Sequence, residues 1–297
     1  MVVLALAFTI AFAFTGAHIP NSGAFHKYEH TVNLSSAQNN STPGPDNPAE
    51  NTSASSVDPD EISRFGALAD RWWAADGEFS ALHGLNPVRL AYIRDRAVAH
   101  FNGDAGSLRP LSGLKVLDLG CGGGILSEPL HRMGADLISI DASEDGIRAA
   151  REHAEANDLD IDYRCTTAED LAASGETFDI VVAMEIIEHV ADVDGFVDTC
   201  AALLKPGGLF FAATLNRTPK SYALAIVGAE YLLRWVPRGT HDWRKFVRPS
   251  ELARGLRRNG LKTDDVSGVT LDIASGEWRQ SDDTAVNYML GAHSPAF

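Results

Sequence analysis

A chain of 297 residues with a formal charge of −15 and 45% hydrophobic residues is long enough for one large core with attachments. The acidic balance argues against nucleic acid as a bulk electrostatic partner, because phosphate binding needs a positive face. Three cysteines, Cys121, Cys165 and Cys200, are odd in number and lack a C-x-x-C pair, which excludes a disulfide framework or zinc ribbon and points to a reducing compartment.

Residues 2–14 form an apolar stretch too short to span a bilayer as a helix, and no Lys or Arg precedes Lys27, so the positive start of a signal peptide is missing. Two readings stay open, a targeting segment or a translation start placed too far upstream. Residues 31–56 are dominated by Ser, Asn, Thr, Ala and Pro and are expected to be disordered. Residues 1–57 are therefore set apart from one globular domain, 58–297. That domain opens with a helix after Asp58-Pro59, with acids crowding its first turn and Ile62, Phe65, Leu68 and Ala69 at helical spacing. Trp72-Trp73 follow, and two adjacent indoles cannot share one helix face, so one is expected to cover a ligand. Residues 77–87 read as a loop closed by Pro87 at the start of a further helix, which carries Arg89.

The run Lys115-Val-Leu-Asp-Leu-Gly-Cys-Gly-Gly-Gly124 reads as a buried strand and a tight glycine turn, with a helix over 125–133 and a second strand, Leu137–Asp141. Asp141 lies 21 residues after Gly120, near the spacing at which a carboxylate reaches ribose hydroxyls. A dinucleotide fingerprint beginning at Gly120 would need Gly or Ala at 125, where Ile stands. Asp118 places a carboxylate where a dinucleotide brings anionic phosphate, whereas a cationic, amino-acid-bearing cofactor tolerates it. Gly120, Gly122, Asp118 and Asp141 thus favour S-adenosylmethionine over a nicotinamide. An exported protein would lack a supply of such a cofactor, which favours the cytoplasm.

Ser143 caps a helix ending near Asn157, strands follow over 161–164 and 178–183, and a helix over 196–204 precedes a fifth strand, 209–213. Segments near 263–269 and 286–292 complete the sheet. The β-α-β-α-β alternation predicts an α/β fold, a doubly wound, mostly parallel sheet with its cofactor at the carboxyl ends of the strands. At the end of the fourth strand, Met184 precedes Glu185, Glu188 and His189. These three can be read as a mixed carboxylate–imidazole set for Mg or another divalent cation, as an ordinary Glu-rich turn, or with His189 as a general base. Arg89 is a candidate clamp for a carboxylate, against the plainer reading of a solvated arginine. An apolar insertion, about 218–248, runs into a stretch from Arg234 to Arg258 with eight basic and two acidic residues. It suits a lid, an element facing an anionic membrane surface, or an ordinary buried helix beside a solvated basic one.

Trp72-Trp73, Gly77-Glu-Phe79, Asn86-Pro-Val-Arg-Leu90, Leu119-Gly-Cys-Gly-Gly-Gly-Ile-Leu126, Met184-Glu-Ile-Ile-Glu-His189, Thr214-Leu-Asn-Arg217, Val227-Gly-Ala-Glu-Tyr231, Val236-Pro-Arg-Gly-Thr-His-Asp242 and Val286-Asn-Tyr-Met-Leu290 together resemble the ubiquinone-biosynthesis O-methyltransferases over about residues 58–293. The resemblance implies a seven-stranded class I methyltransferase sheet with an N-terminal helical cover and a helical lid. It also implies methylation of a polyprenyl hydroxyphenol (catechol) and of demethylubiquinol, and a cytoplasmic enzyme attached peripherally to the inner membrane, with other enzymes of the pathway as partners. By the same resemblance Arg89, Gly120, Asp141 and Met184 contact S-adenosylmethionine, Glu185, Glu188 and His189 match metal positions, and His189 or His241 are the candidates to take the phenol proton. Two departures stand out. Residues 1–57 have no counterpart in the bacterial members, and Thr270–Trp278 lacks the usual Tyr-Asn-Pro, which puts one wall of the substrate site in question. Two rivals remain, a nicotinamide oxidoreductase on the same cradle and a noncatalytic lipid-surface scaffold.

Overall fold

The side chains of Val116, Leu117, Asp118 and Leu119 are all buried, as are those of Ile180 to Met184, and a strand buried on both faces must sit in the middle of a sheet. The computed structural model, which describes residues 56–74, 79–223, 242–272 and 275–296, places them there. The apolar start, nearly all of the stretch expected to be disordered, His241 and most of the insertion lie outside the described residues.

In chain order the elements are α1 (Pro59–Gly66), a 3-10 turn (Ala69–Arg71), α2 (Ser80–Phe101), β1 (Lys115–Leu119), α3 (Ser127–Arg132), β2 (Asp136–Asp141), α4 (Glu144–Ala156), β3 (Asp162–Cys165), α5 (Ala168–Ala173) and β4 (Phe178–Met184). A 3-10 turn (Ile187–His189) follows, then α6 (Val193–Ala202), β5 (Leu204–Leu215), α7 (Pro219–Tyr222), a 3-10 turn (Trp243–Lys245), α8 (Pro249–Arg258), β6 (Lys262–Asp272), β7 (Glu277–Ser281) and β8 (Asn287–His293). The sheet order is β3-β2-β1-β4-β5-β8-β6-β7. The first five strands are parallel, with Val116 level with Leu137 on one side and Ile180 on the other. β8 runs antiparallel to β5 and to β6, and β6 to β7.

Alternate residues of the central strands feed two cores. Val116, Ile180, Val182 and Phe211 pack with Leu85, Tyr92 and Ile93 of α2, and Leu117, Val181 and Phe210 pack with Phe196 of α6 and Leu252 and Leu256 of α8. The chain reverses its direction of winding between β1 and β4, which opens a crevice at their carboxyl ends.

Two expectations are corrected. The sheet has eight strands rather than seven, because Glu277–Ser281 folds back as a hairpin on β6. Residues 79–87 are not a loop closed by Pro87; among the described ones, Ser80 already starts α2, and Pro87 lies inside it. An interior proline forfeits a backbone hydrogen bond and costs about 3 kcal/mol. The turn before it survives because Leu82 and Leu85 are buried and Phe79 stacks on Trp72 with ring centroids 3.7 Å apart. Of the Thr270–Trp278 departure, the described residues include the end of β6 and the start of β7, the buried Trp278 lies over Gly84 of α2, and none of them lines the crevice.

Candidate active site

The glycine turn after β1 needs the backbone freedom its residues supply. Gly120 has φ +71°, and a Cβ there would meet Ile186 Cδ1 at 2.4 Å. At Gly122, φ +51°, a Cβ would stand 2.5 Å from the Trp72 ring, so that indole lies on the loop at van der Waals distance. Of the two tryptophans, Trp72 is the one lining the crevice. Trp73 turns aside, donates from Nε1 to Gly123 O at 2.9 Å and stacks on His153 at 3.5 Å. Asn86 Nδ2 donates to Ile125 O at 2.7 Å, so α2 is pinned to the exit of the loop.

Asp141 holds the loop from the other side. Its Oδ2 accepts from Gly122 N at 2.9 Å and its Oδ1 from Ser143 N at 2.8 Å. Burial raises its pKa, opposed by these two N–H donors. Asp118 is 2% exposed and accepts from Ser127 Oγ at 2.7 Å. Burial pushes its carboxyl up to about 7, the Ser127 bond opposing and the Asp141 charge adding.

Across the crevice stands the end of β4. Met184 is its last residue, and Glu185, the next, adopts φ +56°, a left-handed conformation costly for a non-glycine residue. Glu185 N donates to Ala213 O at 2.8 Å, and its Oε1 accepts from Arg89 Nη2 at 2.6 Å. Arg89 is 3% exposed, so the plainer reading of a solvated arginine is overturned: it is a buried cation with a carboxylate partner, and it lines the crevice.

Glu188 is buried and its Oε2 accepts from Thr214 Oγ1 at 2.7 Å, while Oε1 has no partner. Burial raises its pKa, reinforced by the Glu185 charge. His189 sits 3.1 Å through Nδ1 from Glu61 Oε2, with the Phe65 ring edge-on at 5.3 Å. Its Nε2 is buried without a partner, and burial lowers its pKa against the pull of Glu61. An ionised carboxylate only accepts, so Nδ1 carries the hydrogen and Nε2 of the neutral ring holds a lone pair. Glu61 is ionised: burial raises its pKa, but the hydrogen bond from His189 and the charges of Arg64 and Lys245 bring it below the ordinary value.

Glu185, Glu188 and His189 have donor atoms suited to a divalent cation. They do not converge on one, however, and among the described residues no group of three His, Cys, Asp or Glu side chains is placed to hold a metal. Glu185 is turned to Arg89, Glu188 to Thr214 and His189 to Glu61. Arg89, Asp118, Gly120, Gly122, Asp141, Met184, Glu185 and His189 do line one crevice, beneath Glu61, Phe65 and Trp72 of the N-terminal cover. Glu61 and Asn86 were not singled out from the sequence. Glu61 stands among acids that suit the helix dipole in any case, and 128 residues separate it from His189.

A methyltransferase domain family matches residues 117–212. The ubiquinone biosynthesis O-methyltransferase of Parvibaculum lavamentivorans is 55% identical over 241 residues, covering 81% of this chain and 95% of that protein. The enzymes of the same name from Rhizobium etli and Methylocella silvestris are each 54% identical, over 82% of this chain and 98% and 97% of their own lengths. The magnesium protoporphyrin IX methyltransferase of Synechocystis, solved with bound SAH, shares the fold at 19% identity, with a TM-score of 0.54 over 79% of this chain and 97% of that one. With the cofactor crevice at the β1–β4 switch point and this identity over nearly the whole length of the relatives, the chain belongs to the ubiquinone biosynthesis O-methyltransferases, S-adenosylmethionine-dependent enzymes of the class I α/β fold.

Proposed function

We propose that the protein methylates ring hydroxyls of a polyprenylated catechol and of demethylubiquinol, with His189 taking the phenol proton. One observation carries the assignment of the base: His189 lines the crevice and its Nε2 is buried and unpartnered, while Nδ1 is engaged by Glu61. S-adenosylmethionine supplies an electrophilic methyl on a sulfonium. Gly120 and Gly122 leave room for close backbone approach, Asp141 is the carboxylate for the ribose, and Arg89 and Met184 line the methionine side. Arg89, paired with Glu185, would also hold the cofactor carboxylate. The phenol O–H gives its proton to Nε2 as the oxygen attacks the methyl carbon, and the carbon–sulfur bond electrons leave with the thioether. The imidazolium is stabilised by Glu61 and returns its proton to water. Trp72, Phe65 and Phe79 form the apolar roof that suits a prenylated ring and excludes water.

A hydrophobic substrate resides in lipid, and we place the enzyme in the cytoplasm at an anionic membrane surface. No helix among the described residues is long and apolar enough to cross a membrane. The support is the basic run from Arg234 to Arg258, of which α8 exposes Arg254, Arg257 and Arg258. Sedimentation with anionic vesicles should show binding at low salt that is lost at high salt, and absence of binding at both removes this part of the reading.

The test of the reaction is methyl transfer from labelled cofactor to a short-chain demethylubiquinol kept reduced, with magnesium or with chelator. Labelled methoxyquinol supports the substrate class; cofactor binding without methyl transfer overturns it. Turnover that persists in chelator leaves the proton with a histidine, and loss of that turnover in His189→Ala assigns it to His189. Turnover lost to chelator and restored by magnesium overturns the assignment of the proton to His189.

A further inference from the structure

The crevice's only carboxylate contributed by the N-terminal cover within hydrogen-bond reach of a crevice imidazole, among the described residues, is Glu61, and we infer that it is a positioning residue for the methyl transfer: it fixes the ring orientation and tautomer of His189. The inference rests on the reading of His189 above and extends the active site to α1.

Four observations converge on it. Glu61 Oε2 lies 3.1 Å from His189 Nδ1, and both side chains are close to fully buried, 13% and 11% exposed. Phe65, one turn further along α1, meets the same imidazole edge-on. A carboxylate on one nitrogen and an aromatic ring at the edge leave His189 one orientation, in which Nε2 has no partner. Glu61 is itself steadied by two cations, Arg64 Nη1 at 3.4 Å and Lys245 Nζ at 3.7 Å. Finally, the segment that carries it is clasped to the crevice rim. Ser56 O accepts from Ala191 N at 2.6 Å, two residues past His189, Ser56 N donates to Glu169 Oε1 at 3.1 Å, and Asp58 Oδ2 accepts from Lys245 Nζ at 2.8 Å.

These clasps matter because α1 buries none of its own residues fully. Its place is set by polar contacts at the rim and by Phe65. The segment thus links the loop after His189, the helix α5 that carries Glu169, and Lys245, near the end of the insertion. A carboxylate behind an imidazole stabilises the imidazolium formed when the proton is taken and keeps the accepting nitrogen bare beforehand.

The experiment compares full-length Glu61→Leu and Glu61→Gln with the wild type. Leu keeps the apolar bulk and removes both acceptors, whereas Gln keeps one acceptor oxygen without charge. Saturating turnover should fall about 10- to 100-fold in Glu61→Leu, with an intermediate loss in Glu61→Gln. The KM for quinol, the cofactor Kd and the melting temperature should stay near wild type. The ¹⁵N imidazole spectrum should place the His189 hydrogen on Nδ1 in the wild type and on a mixture of nitrogens in Glu61→Leu. Unchanged turnover in Glu61→Leu overturns the inference, as does a loss confined to KM or cofactor affinity, or equal losses in both variants that follow a lower melting temperature. If the wild type itself moves no methyl to the quinol, the substrate reading fails, and the imidazole spectrum still decides whether Glu61 sets the tautomer.

Discussion

The ribose side and the methyl side of the crevice are built in opposite ways. Gly120, Gly122, Asp118 and Asp141 come from one stretch of 24 residues, two adjacent parallel strands and the turn that leaves the first of them. Arg89, Glu61, Trp72 and His189 come from α1, the segment after it, α2 and the turn after β4, and meet only in three dimensions. The first side is held by backbone donors on a carboxylate, the second by side chains on side chains. A site built on a local backbone should lose affinity when damaged, and one assembled from distant side chains should lose chemistry or stability.

The largest effect expected is at His189. His189→Ala should lower kcat by about 10²–10⁴-fold, the range for a general base, with cofactor affinity nearly unchanged. Equilibrium dialysis beside steady-state rates checks this, and a matched loss of cofactor binding would erase the contrast between the sides. Arg89→Met comes next. It leaves Glu185 beside a vacated buried cation position, and removal of one partner from a buried pair costs about 3–5 kcal/mol. Denaturant unfolding should show the loss, and Arg89→Met combined with Glu185→Gln should recover part of it, because no buried charge is then left alone. Additive single and double variants would mean that the two side chains do not act as a pair.

On the ribose side the effect expected is smaller and of another kind. Asp141→Asn replaces a carboxylate that accepts from Gly122 N and Ser143 N by a group with one acceptor oxygen. Loss of the charge-assisted bond to the ribose, about 1.5–3 kcal/mol, corresponds to a cofactor Kd weakened roughly 10- to 100-fold. Turnover at saturating cofactor should be preserved. Titration calorimetry decides, and a change in kcat with intact affinity would place Asp141 on the chemical side.

The same difference explains what was legible in the sequence. The cradle could be read because a parallel strand, a glycine turn and a second strand put chemistry at fixed spacings, and Ser143 capped α4 where expected. The doubly wound order and the place of Met184 at a strand end followed from the alternation of elements. Glu61 could not be found this way: its acid-rich turn satisfies the helix dipole without reference to His189. Pro87 misled for the complementary reason, since local preference marks it as a helix start and burial of Leu82 and Leu85 overrides that preference. The eighth strand was missed because a five-residue edge strand with one buried residue, Trp278, carries almost no hydrophobic pattern. The metal positions matched in residue type, but type does not say that Arg89, Thr214 and Glu61 hold the three side chains apart.

The effect carried by Asp118 is spread along the pH axis, and it tests the ribose side from within. Burial raises its pKa from 3.8 to about 7 in the folded protein, the Ser127 hydrogen bond opposing and the Asp141 charge assisting. Between those two values the folded protein keeps a proton that the unfolded chain has released. Stability therefore falls as pH rises from about 4 to about 7 and levels off above, with a slope of at most about 1.4 kcal/mol per pH unit. Asp118→Asn keeps an acceptor oxygen for Ser127 Oγ and removes the titration. Its stability relative to the wild type should rise across that window and stay constant beyond it, which denaturant midpoints at several pH values measure. Parallel curves would mean that Asp118 ionises normally in the fold. In that event the Asp141 charge beside it would need a compensating cation, and the ribose side would depend on the cofactor's own charge to complete it.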